Sequence, residues 1–256
     1  MLTREELNQI EQLKTDNPRL WHLFHKIEQE HRCILLHFSH NIRNDLTLLS
    51  SSLQLMEKKH PLIRTFKYWT HCINSVTYIC DFLEQFSDYN NGSKLTYVLF
   101  NLDRLLSKLV YSIQYEPHSV PTSVILQTKN SCPEICGDPI KLYHAIELLL
   151  ENSFEAISEE HNTIIINLSH YHSFCKISIS DKSNNFADKM EQRLWNPFCV
   201  DGKKHTGLEL CTANRIILAH SGSIRLAHAS SGESVLEIWL PLPSSRKCKQ
   251  LVQQTN

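Results

Sequence analysis

The sequence predicts an α+β chain: an N-terminal antiparallel helical hairpin, expected to form a dimeric four-helix bundle, followed by an α/β sandwich. Three observations lead to this fold class. Apolar residues recur at steps of three and four over two long stretches before residue 90, which is the period of an amphipathic helix. Strand-like and helix-like segments alternate between residues 95 and 243. A polar, turn-forming segment at residues 88–93 separates the two parts, so the domain boundary is expected there.

The composition excludes some classes of partner. The 256-residue chain has a formal net charge of −1, with 21% charged and 41% hydrophobic residues. This balance gives no field that would attract nucleic acid or an anionic membrane, so neither is an expected partner. No apolar run approaches the ~18 residues of a membrane span, and the first residues lack a signal-peptide pattern. We therefore expect a cytoplasmic protein.

Two helices are predicted in the first part. Asn17-Pro18 indicates the start of a long helix that runs to about Lys59, because proline is favoured at the first helical position. The second helix carries a strict heptad of apolar residues from Leu62 to Leu83, which is typical of coiled-coil packing.

These helices define the hairpin at residues 17–90. One hairpin cannot bury both apolar seams, so pairing of two copies in a four-helix bundle is the favoured arrangement. The alternative is an intramolecular bundle completed by a short amphipathic helix within residues 1–16.

The second part, residues 95–243, is predicted to place one mixed sheet under a layer of helices, before a polar tail at 244–256. A long irregular segment at 182–206 interrupts it, which is typical of a functional lid. The predicted helices follow Asn101, Asp138 and Gly207, and the predicted strands lie at 95–100, 123–128, 133–136, 163–168, 174–180, 223–227 and 235–240.

His40 is the first candidate for chemistry. It lies two residues from both Phe38 and Ile42 of the apolar stripe, so it points about 200° away from each and faces solvent. An exposed imidazole on a rigid helix can attack a phosphoryl group, since an unprotonated ring nitrogen is available near neutral pH. The alternative is one surface histidine among fifteen.

Three weaker signals lie in the second part. Asn152 occupies a polar position on an apolar helix and could supply an amide oxygen to Mg²⁺, or be an ordinary surface residue. Asp181 ends a strand, where it could accept a hydrogen bond from an adenine amine or simply begin a turn. Thr206-Gly207-Leu208 precedes a helix, where backbone N–H groups favour phosphates.

Taken in order, these motifs resemble a two-component sensor histidine kinase core that covers residues 17–242. Residues 17–90 are similar to its dimerisation and phosphotransfer hairpin, and residues 95–243 to its Bergerat-type ATP-binding domain. The resemblance implies that His40 is the phospho-accepting histidine, with Arg43 and Asn44 at their expected positions beside it. It further implies ATP and Mg²⁺ as cofactors, with Asn152 as the magnesium-binding residue and Asp181, Phe198, Thr206, Gly207 and Leu208 contacting the nucleotide.

The chain departs from that family at several of these motifs. Asn41 stands where an acidic residue normally follows the histidine, and an amide cannot act as a general base. Leu148 replaces an earlier polar residue of the asparagine motif, and Glu209 replaces a glycine of the second glycine-rich loop. The first glycine-rich loop, at 181–185, contains no glycine. In the two glycine-rich loops, the added Cβ atoms restrict the close backbone approach that glycine permits.

Three functions remain open from the sequence. The first is a histidine kinase that phosphorylates His40 from Mg-ATP and passes the group to an aspartate of a response-regulator receiver domain. The second is a nucleotide-independent phosphotransferase, pseudokinase or phosphatase, in which Asn44 orients water and the second domain is a docking scaffold. The third is a non-catalytic dimer that sequesters a regulator. The neighbouring His37 lies outside the matched motif, so His40 is preferred as the phosphate acceptor.

Overall fold

The computed structural model describes residues 16–114, 122–129, 132–156, 162–180, 194, 196–199, 206–228 and 234–242. The chain divides into two compact units, Met1–Asn90 and Asn91–Asn256. The short helix expected within residues 1–16 and most of the segment 182–206 lie outside the described residues. Within the described part, no helix combines the length and hydropathy that crossing a membrane requires.

Helix α1 (Pro18–Lys59) begins and ends where the sequence predicts. Asn17 caps it, because its side-chain oxygen accepts a hydrogen bond from the Leu20 N–H at 3.2 Å and so satisfies a donor that the first turn leaves unpaired. Pro18 needs no such partner. Lys58 and Lys59 lie in the last turn, where positive charge is favourable beside the negative end of the helix dipole.

A short 3₁₀ helix (Pro61–Thr65) precedes helix α2 (Trp69–Asn91). The prediction that the second apolar seam already begins at Leu62 and Phe66 is therefore wrong. Their side chains are 79% and 67% exposed, because this part of the chain reverses direction after Pro61 instead of continuing a helix. From residue 69 onward the apolar positions of the seam are half-buried, and Leu83 is buried.

A hydrogen bond from Arg43 joins the two helices of the hairpin. Its Nη2 donates to the backbone carbonyl of Leu83 on α2 at 2.9 Å. Ser39, one turn earlier on α1, is also buried and donates its hydroxyl to the Leu35 carbonyl at 2.7 Å. The sequence placed Arg43 beside His40, and the structure shows that its side chain fixes the pairing of α1 with α2.

Arg43→Ala is expected to lower the free energy of unfolding by about 1–2 kcal/mol, because the charge-assisted hydrogen bond is lost and the Leu83 carbonyl loses its donor. Urea unfolding of the full chain followed by circular dichroism measures this. Arg19→Ala, at an exposed position of α1, is the matched control and should change stability by less than about 0.5 kcal/mol. Equal effects of the two variants would contradict the structural role of Arg43.

Much of the apolar stripe of α1 is uncovered within one chain. Some members, such as Ile42 and Leu46, are half-buried, yet Ile27, Ile34 and Phe38 are 63–65% exposed. Monomeric proteins rarely leave a contiguous apolar surface of this kind open to water. The further exposed members of the stripe are Leu20, Phe24, Leu49 and Met56.

The second unit alternates strands and helices, as predicted, with boundaries that shift by a few residues. Its helices are α3 (Leu102–Gln114), α4 (Pro139–Ala156) and α5 (Glu209–Ala219). Its strands are β1 (Val98–Phe100), β2 (Thr122–Thr128), β3 (Ile135–Gly137), β4 (Asn162–Tyr171), β5 (Phe174–Ser180), β6 (Ser223–His228) and β7 (Ser234–Pro241).

The strands form two sheets, so the prediction of one mixed sheet is wrong in this respect. Five strands pair in the order β2-β4-β5-β7-β6, with β2 and β4 parallel and the other neighbours antiparallel. The three-residue strands β1 and β3 pair only with each other. The predicted hairpin of β4 and β5 is confirmed, with Ile166 opposite Ile179.

One apolar core lies between the larger sheet and the helices. Alternate residues of the central strands are almost fully buried, such as Ile166, Ile177 and Ile238, and they contact buried leucines of the helices, such as Leu106 and Leu149. Because side chains alternate across a strand, this pattern shows that one face of the sheet is covered. The predicted helical layer over a sheet is thereby confirmed.

A buried pair, Asp138 and His220, joins the start of α4 to the end of α5. The Asp138 carboxylate caps α4 by accepting hydrogen bonds from the N–H groups of Ile140 and Lys141 at 3.1 and 3.0 Å, and it also accepts one from Thr96 at 2.9 Å. The Asp138 N–H donates to His220 Nε2 at 2.9 Å. His220 Nδ1 donates to the Ile216 carbonyl at 2.8 Å, so the ring is held neutral.

Candidate functional site

His40 is exposed on α1, as the sequence predicts. Its Nδ1 lies 3.3 Å from the amide nitrogen of Asn44, one turn further along the helix, at the spacing where helical side chains meet. The two ends of an amide exchange by a 180° rotation, so Asn44 can donate to Nδ1 or accept from it. In either role Asn44 is a partner for Nδ1 that orients the ring and leaves Nε2 open to solvent.

The helix turn around His40 has an exposed side with polar side chains and an opposite side that is partly buried. Ser39 is buried, whereas Asn41, Asn44 and Asp45 are exposed. His37 is exposed as well. Exposure alone therefore does not distinguish His37 from His40. The contact with Asn44 does.

Asn152 lies on the exposed side of α4, and the fold brings it toward the start of α5. The two helices pack against each other, and the Asp138–His220 contact shows that they run in opposite directions. Asn152 lies about 21 Å along α4 from Asp138, and Glu209 lies about 17 Å along α5 from His220, at 1.5 Å per residue. Both therefore lie at the same end of the helical layer.

The surroundings of Asn152 explain one departure from the family pattern. Leu148, one turn earlier, is 9% exposed and belongs to the apolar core. Asn152 itself is half-buried, and the next residue, Ser153, is buried. The amide of Asn152 is thus partly open to water, beside the exposed Glu151, which suits a metal or water ligand.

The loop before α5 is built around Gly207. This residue has a φ of +73°, a conformation that glycine adopts without strain. Its carbonyl accepts a hydrogen bond from the Phe198 N–H at 3.0 Å. A Cβ at Gly207 would lie 2.9 Å from Phe198 C and from Cys199 N, so the two segments pack backbone against backbone. Phe198 also has a positive φ, of 66°, and is 52% exposed.

Gly207→Ala is expected to lower the free energy of unfolding by about 2 kcal/mol, because the new methyl group meets backbone atoms and the positive φ becomes strained. Urea unfolding of the full chain measures the change. Ser107→Ala, at an exposed position of α3, is the control for a small surface substitution. A loss below about 0.5 kcal/mol for the glycine variant would show that the loop relaxes freely.

Thr206 donates two hydrogen bonds to Glu209 across this loop. Glu209 Oε1 accepts from the Thr206 N–H at 3.1 Å and from its hydroxyl at 3.3 Å. The Thr206 hydroxyl oxygen in turn accepts from the Leu208 N–H at 3.3 Å. Thr206 is 8% exposed and Leu208 is fully buried. The positive end of the α5 dipole therefore already has a carboxylate beside it.

From the sequence, Glu209 replaces a glycine and brings a negative charge near the expected phosphates, which Lys203 and Lys204 partly offset; its Thr-x-x-Glu signal at 206–209 is a further feature that was missed. This spacing is that of a capping box, of which the structure forms one half: Glu209 accepts from the Thr206 N–H, while the Thr206 hydroxyl accepts from the Leu208 N–H. The Asp138–His220 pair was also missed; an Asp before Pro139 signals a helix cap, but no sequence pattern identifies His220 as its partner.

The remaining expectations have mixed outcomes. Asp181 and the altered first glycine-rich loop lie outside the described residues. Among the residues that are described, no group of three or more His, Cys, Asp or Glu side chains is placed to hold a metal ion. Asn152 as a magnesium ligand stays a prediction.

Residues 137–244 match the model of a protein family described as histidine kinase-, DNA gyrase B- and HSP90-like ATPases. The matched segment contains α4 with Asn152, the loop at 206–208, and α5. The match implies ATP binding for this family.

Similar curated proteins are sensor and sporulation kinases. The sensor histidine kinase ZraS of Escherichia coli strain K12 is 25% identical over 150 residues, which cover 59% of this chain and 32% of ZraS. Sporulation kinase C of Bacillus subtilis strain 168 is 22% identical over 209 residues, which cover 80% of this chain and 48% of that kinase. The chain thus spans about a third to a half of the length of these relatives.

Solved structures share the fold. Full-length ShkA in complex with AMPPNP matches with a TM-score of 0.67 at 15% identity, covering 82% of this chain and 46% of ShkA. The histidine kinase AdeS of Acinetobacter baumannii matches with a TM-score of 0.55 at 15% identity, covering 80% of this chain and 98% of that chain.

Fold and family match together define the class: an α+β protein with a Bergerat-type ATP-binding domain in its C-terminal unit. More particularly, the curated relatives are sensor and sporulation kinases, and the chain is similar to the core of a two-component sensor histidine kinase.

Proposed function

We propose that this chain is a histidine kinase-like phosphotransfer protein that carries a phosphoryl group on His40 and transfers it to an aspartate of a response-regulator receiver domain. The observation that carries the proposal is the exposed His40 imidazole whose Nδ1 lies 3.3 Å from the Asn44 amide. The kinase relatives and the ATPase family match support it.

The chemistry at His40 needs one unprotonated ring nitrogen. With the Asn44 amide oxygen accepting from a protonated Nδ1, the lone pair of Nε2 points into solvent and can attack phosphorus. The bond from phosphorus to the leaving oxygen then breaks, and that oxygen keeps the electron pair. Loss of the Nδ1 proton to solvent leaves a phosphohistidine with a neutral imidazole ring and an ionised phosphoryl group, and Asn44 is the positioning residue of this step.

A homodimer through the hairpin is part of the proposal. The exposed apolar residues of α1, such as Ile27, Ile34 and Phe38, are best covered by a second copy, since two hairpins complete a four-helix bundle. Light scattering on the purified protein is expected to give twice the chain mass. Phe38→Glu should shift it toward the monomer.

A second function, phosphotransfer or dephosphorylation without ATP, is favoured by two particular features. Asn41 supplies no carboxylate next to His40, and the Glu209 carboxylate lies at the start of α5, where nucleotide phosphates would be expected. In that case phosphate enters from a receiver domain, and Asn44 orients a water molecule for its removal.

The test offers the purified chain two phosphoryl donors: Mg-ATP labelled at the γ-phosphate, and labelled phosphoramidate, which needs no nucleotide site. We expect acid-labile, base-stable label on the protein that is passed on to an added receiver domain. Label from ATP supports the kinase function, and label from phosphoramidate alone supports the nucleotide-independent one. Absence of label from both donors would overturn the proposal.

A further inference from the structure

The four residues 206–209 form a closed set of hydrogen bonds at the start of α5. Glu209 takes both the N–H and the hydroxyl proton of Thr206, and the Thr206 hydroxyl oxygen takes the N–H of Leu208. The N–H groups of Thr206 and Leu208, in the loop that leads into the helix, are therefore engaged by acceptors of the chain itself. We call this set the Thr206–Glu209 lock.

The lock is held by its surroundings. Thr206 and Leu208 are buried, and the carbonyl of Gly207, between them, is bonded to Phe198 at 3.0 Å. The close backbone packing around Gly207 leaves little room for the loop to shift. The carboxylate is therefore a fixed charge of the loop and not a freely rotating surface group.

The lock places a carboxylate where an anion site is expected, at the start of a helix. Backbone N–H groups at a helix start, together with the positive end of the dipole, form a general anion site. A carboxylate already beside that site repels a second anion, and charges that are partly buried are poorly screened by salt. As they stand, residues 206–209 fit a resident carboxylate and do not fit a nucleotide phosphate.

We propose that Glu209 is an internal anion that occupies the phosphate end of the nucleotide site, so that phosphates bind only after the Thr206–Glu209 lock has opened. The inference rests on the proposed nucleotide-binding function of this unit. It makes Glu209 the residue that sets nucleotide affinity, and it confines the effect to the phosphate part of the ligand.

The experiment titrates the full chain calorimetrically with Mg-ADP and, separately, with adenosine, which lacks phosphate. The variants are Glu209→Gln, which keeps the shape and removes the charge, and Glu209→Gly, which removes the side chain. Both are expected to bind Mg-ADP about tenfold more tightly than the unaltered protein, with adenosine affinity unchanged. Glu134→Gln, at an exposed position of the same unit, changes net charge equally and should leave both affinities unchanged.

Weaker or unaltered Mg-ADP binding in both Glu209 variants, or an equal gain for adenosine, would overturn the inference. If neither the unaltered protein nor any variant binds Mg-ADP or adenosine, nucleotide binding by this unit is rejected. A second measurement then tests the role of Glu209 by itself. Thermal unfolding with millimolar pyrophosphate should then raise the Tm of Glu209→Gln and leave that of the unaltered protein unchanged. Equal shifts in the two proteins would overturn the inference.

Discussion

Replacing His40 by alanine is expected to reduce acid-labile phosphorylation to background with every phosphoryl donor that labels the unaltered protein. The imidazole is the proposed nucleophile, and alanine offers no atom that can take its place. The fold should not be affected, because His40 is exposed and its hydrogen-bond contact is with the side chain of Asn44, which is exposed as well. Quantification of label after acid and base treatment of the gel measures the effect, and circular dichroism confirms folding.

The neighbouring His37 provides the matched control. It is exposed on the same helix, so His37→Ala should keep full labelling. Asn44→Ala is expected to slow labelling roughly fivefold without abolishing it, since one neutral hydrogen bond that orients the ring is lost. Label that persists in His40→Ala and disappears in His37→Ala would show that His37, and not His40, is the phosphate acceptor.

Replacing His220 by glutamine is expected to lower the free energy of unfolding by about 3 kcal/mol at pH 7.5. The ring is 7% exposed and bonded at both nitrogens, to the Asp138 N–H and the Ile216 carbonyl. Glutamine cannot reproduce both bonds in that space, so a buried donor is left unpaired and packing is lost. Urea unfolding of the full chain measures the loss.

The same histidine makes stability depend on pH. Burial is the main cause that lowers the pKa of His220 below its ordinary value of 6.5, and the nearby Asp138 carboxylate opposes this shift. The folded state therefore holds the ring neutral, while the unfolded chain takes up a proton as the pH falls through about 6.5. The stability that the neutral ring supplies is complete above this pH and declines below it, toward the lowered pKa of the folded state.

The stability difference between the unaltered protein and His220→Gln should consequently shrink as the pH falls from 7 to 5, by up to about 1.4 kcal/mol per pH unit. His172→Asn is the control, because His172 is exposed in a turn with a positive φ that asparagine tolerates. A difference that stays constant over this range would show that His220 is not the titrating group.

The elements that the sequence predicts well are those whose signals are local. The start of α1 follows from Asn17-Pro18, and the strand β5 follows from a short segment in which apolar and polar residues alternate, with the bounds that the structure confirms. The error at Leu62 has the opposite cause. Its spacing fits the heptad of α2, but Leu62 lies in the short 3₁₀ helix that connects α1 to α2. The connection between two antiparallel helices uses several residues, and apolar spacing alone does not show which ones.

The site divides in the same way. The exposure of His40 follows from helical phase alone, and its neighbour Asn44 from the spacing of one turn. The pairing of Asp138 with His220 joins residues that are 82 positions apart, and such a contact depends on how α4 and α5 pack. Sequence spacing contains no information about it.

The length of α1 has a mechanical consequence. The helix continues for 42 residues without a glycine, and its one proline is at the start. Its sequence therefore contains no residue within the helix that is typical of a kink or hinge. His40 lies about 33 Å from the Pro18 end at 1.5 Å per residue. A twist applied at that end is transmitted to His40 by an uninterrupted ladder of hydrogen bonds. Rotation of α1 about its axis by the angle of a single residue, about 100°, would turn the imidazole to a different side of the hairpin. The orientation of α1 about its axis therefore sets which surface His40 faces.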